Sequence, residues 1–136
     1  MSVENVELMR GIYEQMARGD FWALAPLLDD AVEWEWSRGY ASLVGGPKTY
    51  RGPEGVAAAT KEWLAAWEWF TIEAEEFIDA GEHVVVLTRY RAWPRHGGPE
   101  ISEQAAEVWT LREGKIVRQR SYNDRAEALE AVRLSG

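Results

Sequence analysis

The fold of this chain is decided by residues 71–122, which read TIEAEEFIDAGEHVVVLTRYRAWPRHGGPEISEQAAEVWTLREGKIVRQRSY. Apolar residues recur here at about every second position, which is typical of strands that bury one face. Glycine-containing turns interrupt the pattern three times. The four strands predicted between these turns are 71–80, 83–93, 101–112 and 115–122. Short turns between successive strands predict an antiparallel meander.

Upstream of this segment the apolar period is helical. Ser2 is a good cap for a first helix with apolar residues at three- and four-residue spacing, which ends at Gly19. A second, shorter helix is predicted after Asp20, and Pro26 should kink or shorten it. A third is predicted to begin at Gly52, with a proline in its first turn. Its predicted apolar stripe is Val56, Ala59, Trp63, Ala66, Trp67 and Phe70.

A further strand is predicted at 31–36, where Val32, Trp34 and Trp36 alternate with glutamates. Residues 37–52 are predicted to form a long loop. A final helix is predicted after Asp124, which with Glu127 resembles a capping box. The predicted order ααβαββββα indicates an α+β fold, because helices come before an antiparallel meander instead of alternating with parallel strands.

Length and composition narrow the protein class. A chain of 136 residues predicts one domain over 1–136, and the absence of cysteine excludes disulfides and thiolate chemistry. The net charge of −8 disfavours binding to nucleic acid. No apolar run approaches the roughly 18 residues of a membrane helix. We therefore expect a soluble, cytoplasmic protein without a membrane or nucleic-acid partner.

Several motifs together are characteristic of one family. They are ENVE at 4–7, GD at 19–20, DDAVEW at 29–34, YRGPEG at 50–55, EFIDAG at 76–81, VWTLREGK at 108–115 and DRAEAL at 124–129. On these motifs the chain resembles the nuclear-transport-factor-2-like (NTF2-like) superfamily, and within it the SnoaL-like branch. The resemblance implies a cystatin-like cone, in which a strongly bent antiparallel sheet wraps around helices and leaves a pocket. It also implies a homodimer, and members range from enzymes to non-catalytic binding proteins.

Ketosteroid isomerase, a member of this superfamily, uses a carboxylate base with a tyrosine and a neutral carboxylic acid as donors. Similarity to that enzyme implies Tyr13 at the tyrosine position, Glu35 at the base position and Glu107 at the acid position. Tyr13 also lies in the apolar stripe of the first helix, which favours a structural role in the core. Alternation with Trp34 and Trp36 would instead turn Glu35 toward solvent.

Glu107 shares a predicted strand face with Trp109 and other apolar residues. Burial there would raise the pKa of its carboxyl group and keep it neutral as a donor. The alternative is a buried ion pair with one of the arginines on the neighbouring strands, Arg89, Arg91, Arg118 or Arg120. An ion pair would lower the pKa instead.

Eight tryptophans in so short a chain indicate an aromatic-walled pocket for a flat, apolar ligand. The predicted ligand-binding residues are Trp34, Trp36, Trp63, Trp67, Trp109, Tyr90 and His96. A fully filled core is the alternative. The two histidines, His83 and His96, have neither helical spacing nor an adjacent carboxylate cluster, so no metal site is predicted.

Three classes of function remain open. The first is a cofactor-free enzyme, an isomerase, cyclase or hydrolase, that uses acid–base catalysis on a cyclic or polyketide-like substrate. The second is a non-catalytic binder of small hydrophobic molecules. The third is a dimeric interaction module. A buried acid–base group in the pocket would favour an enzyme, an all-apolar pocket a binder, and a filled interior an interaction module.

Overall fold

The computed structural model describes residues 2–36 and 48–135, with three α-helices and six strands. The helices are α1 (Val3–Ala17), α2 (Gly52–Ala65) and α3 (Arg125–Ser135). The strands are β1 (Leu28–Trp36), β2 (Lys48–Arg51), β3 (Trp67–Ala80), β4 (His83–Pro94), β5 (Ile101–Arg112) and β6 (Lys115–Tyr122). None of the helices within these ranges is long and apolar enough to span a membrane.

All six strands form one mixed, curved sheet in the order β2-β1-β6-β5-β4-β3. The predicted meander is confirmed, because β3 to β6 pair in succession and antiparallel. β1 adds to the other side of β6 in parallel, and β2 pairs antiparallel with β1 at the sheet edge. The prediction of a loop throughout 37–52 is wrong at its end, where Thr49, Tyr50 and Arg51 are paired with β1. The rest of that predicted loop, 37–47, lies outside the described residues.

The second predicted helix is only a 3₁₀ turn, Ala25–Leu27. Asp20 caps the preceding turn by accepting a hydrogen bond from the Trp22 amide at 3.1 Å. Pro26 lacks the amide proton that an α-helical turn would need, and the chain enters β1 at Leu28. The helical segment predicted there is therefore present but much shorter.

The apolar stripe predicted on the third helix, which is α2 in the structure, extends beyond the end of that helix. Helix α2 ends at Ala65, so Trp67 and Phe70 belong to β3. Arg95 stabilises this junction, since its Nε donates to the Ala65 carbonyl at 3.1 Å and its Nη2 to the Trp67 carbonyl at 2.8 Å. The WEWFTI sequence that follows is rich in aromatic and β-branched residues, which favour a strand.

The helices cover both faces of the sheet. Helix α1 packs against β3 and α2 against β1, on the face we call inner. Helix α3 packs on the opposite, outer face, where its Ala128 joins a small cluster with Val85, Ala106 and Val108. The main core lies between the inner face and the first two helices. Side chains that alternate along β5 and β6 therefore enter either this core or the outer face.

A β-bulge near the β5–β6 turn decides which side chains enter the core. Leu111 pairs with Ile116, but the next pair is Thr110 with Arg118, so Val117 is an extra residue in β6. Beyond the bulge, Glu107 lies opposite Ser121. A regular hairpin would have placed Arg120 in that position instead.

Candidate functional site

A cavity of about 80 Å³ lies between the inner face of the sheet and the helices α1 and α2. Its apolar walls come from Met16, Phe21, Leu24, Leu64, Phe70 and Ile72. Three tryptophans also line it, Trp34, Trp63 and Trp109, of which Trp34 and Trp109 meet edge to face with ring centroids 5.5 Å apart. The polar residues among the described lining residues are Thr60, Glu107 and Ser121.

Glu107 enters this cavity from the middle of β5 and is held by a hydrogen-bond network. The Tyr13 hydroxyl donates to Glu107 Oε1. Trp109 Nε1 in turn donates to the Tyr13 hydroxyl oxygen at 2.9 Å. The second carboxyl oxygen, Oε2, accepts from Gln119 Nε2 at 2.8 Å. Both carboxyl oxygens are thus fixed, which orients the group relative to the cavity.

No cation within the described ranges forms an ion pair with Glu107. The four arginines considered as partners lie elsewhere: Arg89 pairs with Glu75, Arg91 with Glu100 and Arg118 with Glu35, while Arg120 lies beside the Tyr122 hydroxyl. All four are placed away from the inner face by the alternation of β4 and β6. The ion-pair alternative for Glu107 is therefore not what the structure forms.

Burial raises the pKa of the Glu107 carboxyl to about 7, because the charged form loses its hydration in an apolar site. Hydrogen bonds from Tyr13, Gln119 and Ser121 act in the opposite direction, since they stabilise the carboxylate. Desolvation is the larger effect. Near neutral pH the group is thus present in both forms and can accept or donate a proton.

Tyr13 lies behind Glu107 and is not among the residues that line the cavity. It is buried, with 3% of its surface exposed, and its ring meets those of Phe77 and Trp109 edge to face. Its hydroxyl proton is directed at Glu107 and its oxygen receives the Trp109 indole. The structure thus brings Tyr13 and Glu107 together, with Tyr13 placed to position the carboxyl group.

Glu35 is not brought to the cavity. Its side chain lies on the outer face of β1, where its Oε1 accepts from Arg118 Nη2 at 2.8 Å. The strand alternates regularly here, so Trp34 enters the core and its neighbours Glu33 and Glu35 point away. The arrangement of base, tyrosine and acid implied by the resemblance to ketosteroid isomerase is therefore not reproduced by these three residues.

The predicted ligand-binding residues divide into three groups. Trp34, Trp63 and Trp109 line the cavity. Trp67 and Tyr90 lie behind its wall, where they pack against Trp63 at centroid distances of 5.4 and 6.4 Å. His96 is exposed in the turn between β4 and β5, and the Trp36 side chain lies outside the described residues.

Gln119 and Ser121 were missed by the sequence analysis. Both sit on the inner face of β6, Gln119 with no exposed surface and Ser121 with 2% exposed, and both interact with Glu107. Because Gln119 and Ser121 alternate with Arg118 and Arg120, the sequence indicates that these two pairs of side chains lie on opposite faces of the sheet. The bulge at Val117 was needed to tell which of the two sets faces Glu107.

A metal centre has no visible basis in residues 2–36 and 48–135, where no group of three or more histidine, aspartate and glutamate side chains could hold an ion. The two histidines lie at opposite ends of β4, with His83 buried at its start and His96 exposed beyond its end.

Comparison with known proteins agrees with this architecture. The family model of the SnoaL-like domain matches residues 9–119, which is most of the chain. No functionally curated protein matches the sequence significantly.

Solved structures resemble the chain over nearly its whole length. An NTF2-like protein of unknown function from Burkholderia pseudomallei is 26% identical over 97% of this chain and 98% of its own, with a TM-score of 0.78. TerC, co-crystallized with polyporic acid, is 22% identical over 95% and 98%, with a TM-score of 0.75. A protein with a ketosteroid isomerase-like fold from Catenulispora acidiphila, in complex with trimethylamine, is 16% identical over 96% and 92%, with a TM-score of 0.69. The NTF2-like α+β cone predicted from the sequence is confirmed.

Proposed function

Because the chain belongs to the SnoaL-like domain family, we propose that its cavity binds a small, mainly apolar molecule and exchanges a proton with it through Glu107. The observation that carries this proposal is a buried carboxyl group that opens onto an aromatic cavity and has no counter-charge among residues 2–36 and 48–135. A structural carboxyl group in a core is normally paired with a cation, since an isolated charge is costly to bury. Perturbed acids in clefts are candidates for functional groups.

The chemistry supported is that of a single acid–base group. As a carboxylate, Glu107 would take a proton from a carbon or hydroxyl group of the ligand and become the neutral acid. It would then return that proton to the same molecule at another position, so that no proton is gained or lost overall. Its pKa near 7 suits both steps at neutral pH.

Neither hydroxyl group among the described lining residues is free to act as a second donor for a developing oxyanion. The Thr60 hydroxyl donates to the Val56 carbonyl at 2.9 Å, and the Ser121 hydroxyl interacts with Glu107. This observation favours the second candidate function, in which the cavity binds a ligand without turnover and the neutral Glu107 recognises a polar group on it. The two candidates share the site and differ only in whether the proton is transferred.

The size of the cavity limits the ligand. About 80 Å³ accommodates a single ring or the end of a larger flat molecule. Only three of the described lining residues are polar, so the ligand needs one polar group facing Glu107 and apolar surface elsewhere. The co-crystallization of TerC with polyporic acid is compatible with small-molecule binding by this fold.

Tryptophan fluorescence tests the binding step, because Trp34, Trp63 and Trp109 line the cavity. The protein is titrated with single-ring and fused-ring ketones and phenols, and with nucleotides as the polar comparison. We expect saturable quenching by the ring compounds only. Glu107→Leu should weaken binding of compounds with a polar group about tenfold, the effect of one hydrogen bond to a charged or acidic group. A preferential response to nucleotides would contradict the proposal.

A second experiment separates turnover from binding. Ketones that bind are incubated with the protein in deuterated buffer, and loss of the proton signal next to the carbonyl is followed by NMR. Proton exchange that rises with pH through about 7 and disappears in Glu107→Gln supports the acid–base role. Saturable binding without exchange assigns the protein to the non-catalytic class.

A further inference from the structure

The outer face of the sheet carries a second, polar cleft of about 430 Å³, on the side opposite the apolar cavity. His83 of β4, Thr110 of β5 and the arginines Arg118 and Arg120 of β6 form its floor. In the sheet register His83 pairs with Thr110 and Thr110 with Arg118, so these groups lie side by side across three strands. The site described above uses none of these residues.

Arg120 is the unusual residue of this cleft. Only 8% of its surface is exposed, and its Nε is fully buried without a hydrogen-bond partner within the described ranges. In the described part of the chain its side chain makes a single hydrogen bond, a long one of 3.4 Å from Nη1 to the Tyr122 hydroxyl. A buried guanidinium group without an acceptor is unfavourable in free energy, because the charge has lost its hydration.

The carboxylates around the cleft are already engaged with other groups. Glu33 pairs with Arg51 at 3.5 Å and Glu82 with Arg112 at 3.4 Å. The remaining two are held similarly, since Glu35 binds Arg118 at 2.8 Å and Asp29 Oδ2 accepts from the Ala31 amide at 2.8 Å. Glu35 lies opposite Arg120 in the sheet register but pairs with Arg118, so among the described residues no carboxylate lies within ion-pair distance of Arg120.

Neutral hydrogen-bonding groups stand beside that charge. His83 is 8% exposed, and its Nδ1 lies 2.9 Å from Thr110 Oγ1. Burial and the neighbouring Arg120 charge lower the pKa of His83, which favours the neutral form of its ring. A neutral imidazole and a hydroxyl group beside a planar guanidinium are the groups that commonly bind a carboxylate or phosphate group in proteins.

We propose that this outer cleft, which Arg120, His83 and Thr110 line together, binds a small oxyanion, the carboxylate or phosphate group of a small molecule. The concave shape of the cleft favours a small ligand that enters it over a flat protein partner. Because Nε is closed to solvent, the oxyanion would accept hydrogen bonds from the two Nη groups of Arg120. This inference is independent of the function proposed for the inner cavity.

Thermal denaturation with inorganic phosphate and, separately, with succinate tests the proposal. Ionic strength is held constant with sodium chloride, and the wild type is compared with Arg120→Met. We expect a saturable rise in Tm for the wild type with at least one of the two anions and no saturable rise for Arg120→Met. Whichever anion acts at lower concentration identifies phosphate or carboxylate as the preferred group. Nonspecific stabilisation by salt affects both proteins equally.

The control variant is Arg10→Met, which removes the same charge from helix α1 at an exposed position. It should keep the anion response of the wild type. Arg120→Lys keeps the charge without the planar guanidinium group, and titration calorimetry should show affinity for the anion reduced about tenfold. This variant keeps the proposal testable if Arg120→Met does not fold.

Two results would overturn the proposal. One is an equal anion response in the wild type, Arg120→Met and Arg120→Lys. The other is a wild-type Tm that does not change with either anion but rises with protein concentration. In that case the sedimentation coefficient of Arg120→Met should also differ from that of the wild type. That result would mean that a carboxylate of a second copy of the chain occupies the cleft.

Discussion

Glu107 acquires its properties from the residues that surround it. Burial among Trp34, Trp109 and other apolar side chains favours its neutral form, while Tyr13 and Gln119 hold its two oxygens in place. The same glutamate beside an inward-facing arginine would be a permanently charged structural group. Its use as an acid–base group thus depends on which neighbours the sheet register supplies.

The first prediction concerns stability against pH. In the unfolded chain a glutamate ionises near 4.5, whereas in the fold the pKa of Glu107 is about 7. Between these values the folded protein keeps a proton that the unfolded chain releases, so the free energy of unfolding falls as pH rises. The loss should total about 3 kcal/mol between pH 4.5 and 7 and stop above that.

Urea denaturation from pH 4.5 to 8 measures this effect. Glu107→Gln should remove most of the decline, because its side chain does not titrate. Glu76→Gln changes an exposed carboxyl group on β3 and should leave the decline unchanged. If the free energy of unfolding falls with pH equally in the wild type and in Glu107→Gln, Glu107 ionises at its ordinary pKa.

The second prediction concerns Tyr13. Tyr13→Phe removes the hydroxyl that donates to Glu107 and accepts from Trp109 Nε1. The buried indole proton then lacks its acceptor, which should lower the free energy of unfolding by about 1–3 kcal/mol. Loss of the bond to Glu107 should also raise the pKa of that carboxyl further, since the bond stabilises the carboxylate. An unchanged pH profile in Tyr13→Phe would contradict the positioning role.

At the scale of elements, the bulge in β6 determines the chemistry of the cavity. By adding Val117 to one strand only, it places Ser121 opposite Glu107 and turns Arg118 and Arg120 to the outer face. A shift of one residue in register moves every side chain of a strand to the opposite face of the sheet. The single extra residue therefore decides which β6 side chains lie in the outer cleft and which lie beside Glu107.

Deletions in β6 are the third prediction. Deletion of Val117 removes only the extra residue, so Ser121 should stay opposite Glu107 and the free energy of unfolding should change little. Deletion of Gln119, beyond the bulge, would instead place an arginine opposite the buried Trp109. We expect this second deletion to cost more than about 4 kcal/mol or to prevent folding, measured by urea denaturation. Equal stability of the two deletions would show that the register beyond the bulge does not decide which side chains enter the core.

Much of the fold could be predicted from the sequence, because an apolar period of two and glycine-containing turns define β3 to β6 locally. The sequence left three features unspecified. Strand β2 is short and stabilised by pairing with β1 rather than by its own pattern. Trp67 continues the helical spacing of α2 but belongs to β3. The bulge at Val117 depends on pairing across the sheet, so Gln119 and Ser121 could not be assigned to Glu107 from β6 alone.

For the whole molecule, the sheet separates two chemical environments. The inner face holds the apolar cavity with Glu107, and the outer face carries helix α3 and the polar cleft. The homodimer implied by the family resemblance stays a prediction. Sedimentation equilibrium at micromolar concentrations should give twice the mass of the chain, and a monomer across that range would contradict it.

The most direct test of the acid–base site is the pKa of Glu107 itself. The carboxyl carbon signals of ¹³C-labelled glutamate are followed by NMR between pH 3 and 9, and Glu107→Gln identifies the signal that disappears. The structure predicts a single titration for that signal with a pKa of about 7. A titration near the ordinary value of 4.5 would show that the carboxyl group is ionised at neutral pH, and would contradict a neutral donor in the cavity.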